Sequence, residues 1–387
     1  MITIMRNRLN FKIVGAGPTG TLLAIALSKL DLNIYLVDLL NREKLIAKDK
    51  TYAITHSTRK ILVKFEIWEY LKPYLFGYDT LSISDSVISR SSILTIDDLD
   101  EDIRDVNKIG WVIKHSDLMN IFFQEIDKQA NIYFSSNKKL LEEKIFFDYT
   151  FISNGNNPTQ KEFFNFLDIR KKYNQSCLSF KVLIRGNSEK RAYGIFRNEG
   201  PLALLPLDNN LYQVIWTSNL AKSLDRLNAD RNFLMDNLST ILPDHFKIDQ
   251  IIGEVNAFPI SLSLKLPKFN FNKLIFVGDS FHTFHPVGGL GLNTCWRDVD
   301  SIFDILNKYS HLNKINLKIF KFKYYFTRST DILITIAFTD FLNTIFANKN
   351  PLLIPLKITA FMLLNKFLFI RKIVLNQMTK SIIFSNI

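Results

Sequence analysis

Residues 278–293, GDSFHTFHPVGGLGLN, hold the densest group of chemically useful side chains in the chain. His282 and His285 stand three apart, beside the carboxylate of Asp279. Imidazoles and carboxylates are metal-ligand types, but a metal site needs three or more ligands, and no pattern such as His-Glu-x-x-His follows. Pro286 and the glycines at 288, 289 and 291 place the histidines in a loop rather than on a helix face. No metal is expected here, and the histidines are expected to cap the loop or bond its backbone. The backbone offers a different chemistry. Residues 274–277 read as a buried strand, and Leu292, Cys295, Val299, Ile302 and Leu306 recur at helical spacing. A glycine-rich turn between strand and helix presents N–H groups at the positive end of the helix. Asp279, at the strand end, suits the hydroxyls of a polyol. The N–H groups of residues 289–293 suit an electron-rich carbonyl.

A second such turn lies far away in the chain. Residues 11–14 read as a short buried strand, followed by Gly15-Ala16-Gly17-Pro18-Thr19-Gly20. Small and apolar residues from 21 to 30 then suit a helix, and residues 32–37 a second strand that ends at Asp38. A lone G-x-G-x-x-G is weak evidence. With a strand before it, a helix after it and an acidic residue about 20 positions on, it is a dinucleotide fingerprint. Gly15 permits the tight turn, Gly17 lets backbone approach a pyrophosphate, and Gly20 lets helix pack on strand. Asp38 can accept hydrogen bonds from a ribose diol. No second copy of this fingerprint appears, so one dinucleotide site is expected rather than two.

The elements between these turns set the architecture. Residues 48–71 read as a loop and an amphipathic helix carrying Ile61, Leu62, Phe65 and Trp68. Residues 78–110 are strand-like. Residues 110–126 read as a strand running into a helix that Ser116 or Asp117 caps. Residues 144–158 read as a strand pair ending in a turn. Residues 176–218 read as a run of antiparallel strands, residues 230–242 as helical, and everything after Gly291 as predominantly helical.

Hydrophobic residues make up 47% of the 387 and charged residues 22%, which suits a folded protein with a large core. The formal net charge is +12, but Lys is spread along the chain with no dense basic run, so no nucleic-acid partner is expected. The two cysteines, Cys177 and Cys295, form no C-x-x-C pair and fit a reducing compartment. The first ten residues lack the pattern of a secretory signal. In the apolar C-terminal third, charges and prolines interrupt every window before the roughly 18 uncharged residues of a spanning helix. A position on a membrane surface is expected rather than a crossing.

The stretches "GAGPTG" with Asp38, "GWVIKHSDL", "GPLALLPL" and above all "GDSFHTFHPVGGLGLN" resemble the FAD-dependent aromatic hydroxylases. Within these the chain is most similar to the ubiquinone-biosynthesis, or polyprenylphenol, hydroxylases. The resemblance covers nearly the whole chain and includes "TRSTDILITIAFTDFLNTIFA" near the C-terminus. It implies an α/β fold in which a Rossmann-like FAD-binding domain carries an inserted antiparallel β-sheet substrate domain and a helical C-terminal region. The implied divisions are residues 1–75, 111–165 and 269–325 for FAD binding. Residues 76–110 and 166–268 form the substrate domain, and 326–387 the helical region.

The resemblance also implies the cofactor contacts. Gly15, Ala16, Gly17, Pro18, Thr19 and Gly20 hold the pyrophosphate, Asp38 the adenosine ribose and Asp279 the ribityl-phosphate portion. Pro286, Gly288, Gly289, Gly291, Leu292 and Asn293 lie against the isoalloxazine. NAD(P)H, ferredoxin or another donor reduces the flavin, and one oxygen atom of O2 is delivered to an activated phenol ring. The cofactor carries this chemistry, so no catalytic nucleophile–base pair is expected. The implied setting is cytoplasmic and peripheral at the inner membrane, with a prenylated phenol as substrate and an assembly of ubiquinone-biosynthesis proteins as partner. A small soluble aromatic substrate, or a catalytically impaired flavin-binding scaffold, are the alternatives. Four positions depart from the family pattern: Lys50 replaces an Arg, Asn154 an Asp, Pro158 a Ser and Leu290 a Gln.

Overall fold

The computed structural model describes residues 8–136, 147–155, 166–185, 190–267, 273–309, 316–348 and 350–380, and the statements below concern these. Five strands form a parallel sheet in the order Leu274–Phe276, Tyr149–Ile152, Leu9–Val14, Leu32–Val37 and Ile132–Ser135. Phe11, Ile13, Ile34, Leu36, Phe151 and Ile275 are fully buried in it. A parallel sheet is covered on both faces, which is why its strands read as unbroken apolar runs. The helix after the first strand, α1 (Pro18–Ser28), is buried at every position from 20 to 27. It packs against α2 (His115–Asp127) and α3 (Leu290–Tyr309). Helix α2 starts after Lys114 with no side-chain capping bond, so Ser116 and Asp117 lie in its first turn rather than at the cap.

A second sheet has eight strands in the order His282–Thr283, Lys247–Pro267, Phe166–Arg185, Leu211–Asn219, Leu202–Pro206, Arg191–Phe196, Thr80–Asp85 and Arg90–Thr95. Its spine is the antiparallel pair of 20 and 21 residues, bent by register slips. The pairings are antiparallel except one: Arg191–Phe196 runs parallel to Thr80–Asp85. The strictly antiparallel expectation is corrected at that point. The chain between those two strands passes through the first sheet, and so long an excursion permits a parallel return.

A third sheet is small and antiparallel, with Gly110–Lys114 between Thr51–Ile54 and Phe76–Tyr78. The strand Thr51–Ile54 falls where a loop was expected. Its four residues are too few to show alternation. In the region expected as a strand pair, residues 149–152 form one strand, and residues 144–146 and 156–158 lie outside the described residues.

Helix α4 (Leu317–Phe346) closes the open edge of the parallel sheet. Phe276 N–H donates to Tyr325 Oη at 2.8 Å, and the Tyr324 hydroxyl donates to the Phe276 carbonyl at 3.0 Å. Arg328, buried, donates to Asp298 of α3 at 2.6 Å, to Asp331 at 2.6 Å and to the Thr294 carbonyl at 3.2 Å. By length and composition alone α4 would reach across a membrane, but Asp331 and Asp340 interrupt its apolar run, as expected from the sequence. Both carboxylates are engaged, Asp331 with Arg297 and Arg328, and Asp340 with Lys171 and Tyr173.

Replacing Arg328 by Met removes the shared buried partner of two carboxylates, leaving Asp298 to His282 and the Gly278 N–H and Asp331 to Arg297, and should cost about 3 kcal/mol of unfolding stability. Replacing Lys64 by Met removes partners of Asp300 and Asp304 at the surface and should cost less than about 1 kcal/mol. Urea unfolding of both variants measures the contrast; equal small losses would show that the Arg328 clasp does not hold α4.

Candidate functional site

The first turn leaves its strand through Gly15, at φ +107°. A Cβ on Gly15 would lie 2.6 Å from Asn154 N, and one on Gly20 would lie 1.9 Å from the Gly15 carbonyl oxygen. Both glycines therefore serve close packing. Gly17 differs: a Cβ there would meet nothing within 4 Å. It caps α1 without a side-chain bond, and no acidic residue occupies the first turn. The N–H groups of Thr19 and Gly20 belong to the set a helix cannot satisfy itself, so this opening suits an anion.

Asp38 is tied to the same turn. Its Oδ2 accepts from Ala16 N–H at 2.7 Å and its Oδ1 from Leu40 N–H at 2.9 Å. The sequence expectation assigned Asp38 to a ribose diol. In the structure the carboxylate first locks the loop geometry, with its further lone pairs left to accept from a ligand.

The second turn lies directly against the first. Gly278 has φ +61°, and a Cβ on it would lie 3.0 Å from Thr19 Cγ2 and 3.2 Å from Cys295 Sγ. Trp296 Nε1 donates to the Pro18 carbonyl at 3.3 Å. Asp279 is exposed at this junction and accepts from Cys295 Sγ at 3.4 Å. Burial and the Asp279 charge push the Cys295 thiol up, so it stays a neutral donor. A third segment joins them: Ser153 Oγ donates to the Gly15 carbonyl at 2.9 Å, and Ser280 Oγ to the Gly155 carbonyl at 3.0 Å. Asn154 thus sits against the first turn, while Pro158 lies outside the described residues.

Beyond Asp279, Gly288 and Gly289 adopt φ +79° and +64°. Gly288 and Gly291 are exposed, Pro286 and Leu292 half-buried, and Leu290 buried at the start of α3. A Cβ on Gly289 would lie 3.2 Å from Ala53 Cβ, so the loop rests on the strand Thr51–Ile54. Asn293 ends the loop whose backbone N–H groups were expected to face the ligand ring; its side chain is buried and fully engaged. Oδ1 accepts from Thr55 N–H at 3.1 Å, Thr55 Oγ1 at 3.0 Å and Thr58 Oγ1 at 2.6 Å. Nδ2 donates to the carbonyls of Ala53 at 2.8 Å and Gly289 at 2.9 Å. Asn293 is a staple between the glycine loop and residues 53–58. Sequence reasoning missed those partners, because only the short "TYAIT" run could have signalled them.

The histidines diverge. His282 Nε2 lies 2.8 Å from Asp298 Oδ2, both fully buried, and Asp298 also accepts from Gly278 N–H at 2.9 Å. His285 Nε2 lies 3.1 Å from Gln175 Oε1, and its ring packs on Tyr173. Both histidines bond side chains that hold the loop in place. Burial lowers His285 to about 4, so it adds no positive charge beside the loop near pH 7. Tyr52 adjoins the site, bonding His115 Nδ1 at 2.9 Å; burial and the nearby Asp279 charge raise its phenol and keep it neutral. Lys50 lies over the Phe258 ring, 5.4 Å from its centroid.

The eight-stranded sheet is fastened to this junction. Ser263 and Leu264 pair with Thr283 and His282, and Thr51 Oγ1 donates to Gln213 Oε1 at 2.9 Å. Two glycine turns, an open helix start suited to an anion and an exposed carboxylate between them fit an extended dinucleotide.

Comparison with known proteins agrees. A model of the FAD binding domain matches residues 167–310, a span that contains the second turn and not the first. The chain is 24% identical to an uncharacterized protein of Synechocystis over 366 residues, 89% of this chain and 87% of that protein. It is 32% identical to the 3-demethoxyubiquinol 3-hydroxylase of Escherichia coli over 139 residues, 35% of this chain and 34% of that enzyme. The p-nitrophenol 4-monooxygenase PnpA of Pseudomonas putida superposes with a TM-score of 0.76 at 15% identity, covering 96% of this chain and 98% of that one. The chain thus carries a match to an FAD binding domain over residues 167–310 and has the fold of the aromatic monooxygenases.

Proposed function

We propose that the chain is a monooxygenase that hydroxylates the ring of a polyprenylated phenol in ubiquinone biosynthesis. The observation that carries the reading is the direct fastening of the large sheet to the Asp279 junction, which sets a substrate wall beside the cofactor loop. The partial similarity to the 3-demethoxyubiquinol 3-hydroxylase of Escherichia coli supports the substrate class. When bound, FAD supplies O2 activation at the expense of two electrons from NAD(P)H or another donor. A ring C–H becomes C–OH, and the second oxygen atom leaves as water.

The residues of the chain bind and orient. Gly17, Thr19 and Gly20 take the pyrophosphate, with Gly15, Ala16 and Pro18 shaping the turn around it. Asp38 contacts the adenosine ribose, and Asp279 the ribityl-phosphate portion. Pro286, Gly288, Gly289, Gly291 and Leu292 form the surface under the ring system, with Asn293 holding that surface in place. The sheets divide in the same way, the parallel one for the cofactor and the eight-stranded one for substrate. A prenylated phenol resides in a bilayer, so the enzyme works at the cytoplasmic side of the inner membrane, beside other enzymes of the route.

Gly17→Glu should fold, because the added side chain meets open space, yet lose nearly all bound flavin. Asp279→Ala should weaken flavin roughly ten- to a hundredfold, the worth of hydrogen bonds to a charged group. His285→Ala should keep its flavin. Visible absorbance of the purified proteins reads all three, and a yellow Gly17→Glu protein would refute the assignment of the opening.

Deleting the gene should cause an under-hydroxylated prenylphenol to accumulate, as read by mass spectrometry of extracted lipids. Unchanged quinone levels, with NAD(P)H oxidation stimulated by a small phenol instead, would assign the enzyme to a soluble aromatic.

A further inference from the structure

Helices α5 (Ile354–Lys366) and α6 (Leu368–Thr379) turn Lys357 and Arg371 underneath, beside Phe361 and Leu375, and leave much of their apolar surface outside. Lys357 is buried against Asp85 at 3.3 Å. Arg371 donates to Asp98 at 2.7 Å, Asn376 to Asp100 at 2.8 Å and Asn365 to the Ser91 carbonyl at 2.9 Å. Lys380 closes the series on Asp100 at 2.7 Å and Asp102 at 2.5 Å. On the outer side Leu352 is 82% exposed, Met362 62%, Phe369 59% and Ile373 62%. A helix that only covers a protein in water keeps its large apolar residues inside.

The charge of this region is one-sided. From residue 341 to the end the sequence has Lys349, Lys357, Lys366, Arg371, Lys372 and Lys380, and no Asp or Glu. Arg90 and Lys366 border an open groove of about 340 Å3 that Phe361 and Met362 also line. Lys372 lies on α6 between Phe369 and Ile373. The two helices meet at an angle of 103°, so their combined apolar length does not form a straight span, and Phe367, Leu368 and Phe369 make an exposed elbow.

We infer that this elbow and the outer faces of α5 and α6 are a docking surface for an anionic lipid bilayer, which the apolar side chains enter while Arg90, Lys366 and Lys372 meet lipid phosphates. Exposed apolar area together with basic charge is the chemistry of binding to such a surface. A second copy of the chain would bring the same positive charge against this face. The inference deepens the membrane-surface part of the proposed function and does not depend on the ring substrate.

The test is flotation of the flavin-loaded full chain with phosphatidylcholine vesicles, with and without phosphatidylglycerol, in the absence of substrate. The protein should float with the anionic vesicles alone, and less at high salt. The double variant Phe369→Glu, Ile373→Glu should float about tenfold less while keeping wild-type flavin content and melting temperature. Met362→Glu, on the other helix, should shift in the same direction. Three results would overturn the inference: protein that stays at the bottom with anionic vesicles, flotation unchanged in both variants, or a dimer in sedimentation velocity that the same substitutions dissociate. Failure here leaves the hydroxylase reading standing, because the lipid analysis of a deletion strain does not depend on flotation.

Discussion

A buried carboxylate is tolerable only when donors surround it, and Asp298 is the point from which the site is organised. Its donors come from three places: the Gly278 N–H, His282 Nε2 and Arg328 of α4. Burial alone would raise its pKa, but His282 and Arg328 hold it low, so it stays an anion. The second glycine turn is therefore aimed from behind, by a residue of α3 clamped by a residue of α4. Asp279 faces outward because its neighbour is held inward.

The two turns share a device. Gly20 against Gly15, and Gly278 against Thr19, are contacts where a missing Cβ lets backbone approach backbone or side chain. Gly17 alone of the first three has nothing facing it. A motif of identical residues thus separates into packing glycines and an opening for a ligand. That division needs coordinates, since a glycine in a sequence does not say what its absent side chain would have touched.

The parallel sheet, the fingerprint turn and the helical C-terminal region were legible, because apolar runs bounded by glycine turns have few other solutions. The strand Thr51–Ile54 was not, being short and without alternation. The parallel pairing of Arg191–Phe196 with Thr80–Asp85 was illegible for a different reason: it joins segments whose mutual register no local pattern encodes. Asn293 was read for the backbone N–H groups of its loop; that its side chain turns inward to Thr55, Thr58 and the carbonyls of Ala53 and Gly289, in five internal bonds, leaves no mark on the sequence. Asp298 and Arg328 passed unnoticed among ordinary helical charges for the same reason.

The capping of Phe276 by two tyrosine hydroxyls bears on how the protein would fail. The strand Leu274–Phe276 is the last of its sheet, and an uncovered strand edge is a template for pairing with another chain. Tyr324 and Tyr325 occupy its backbone groups from the side. A chain cut before α4 would present that edge bare, beside an apolar core that has lost its cover. Such a fragment would form aggregates rather than a smaller working enzyme, so the C-terminal helices guard solubility as well as shape.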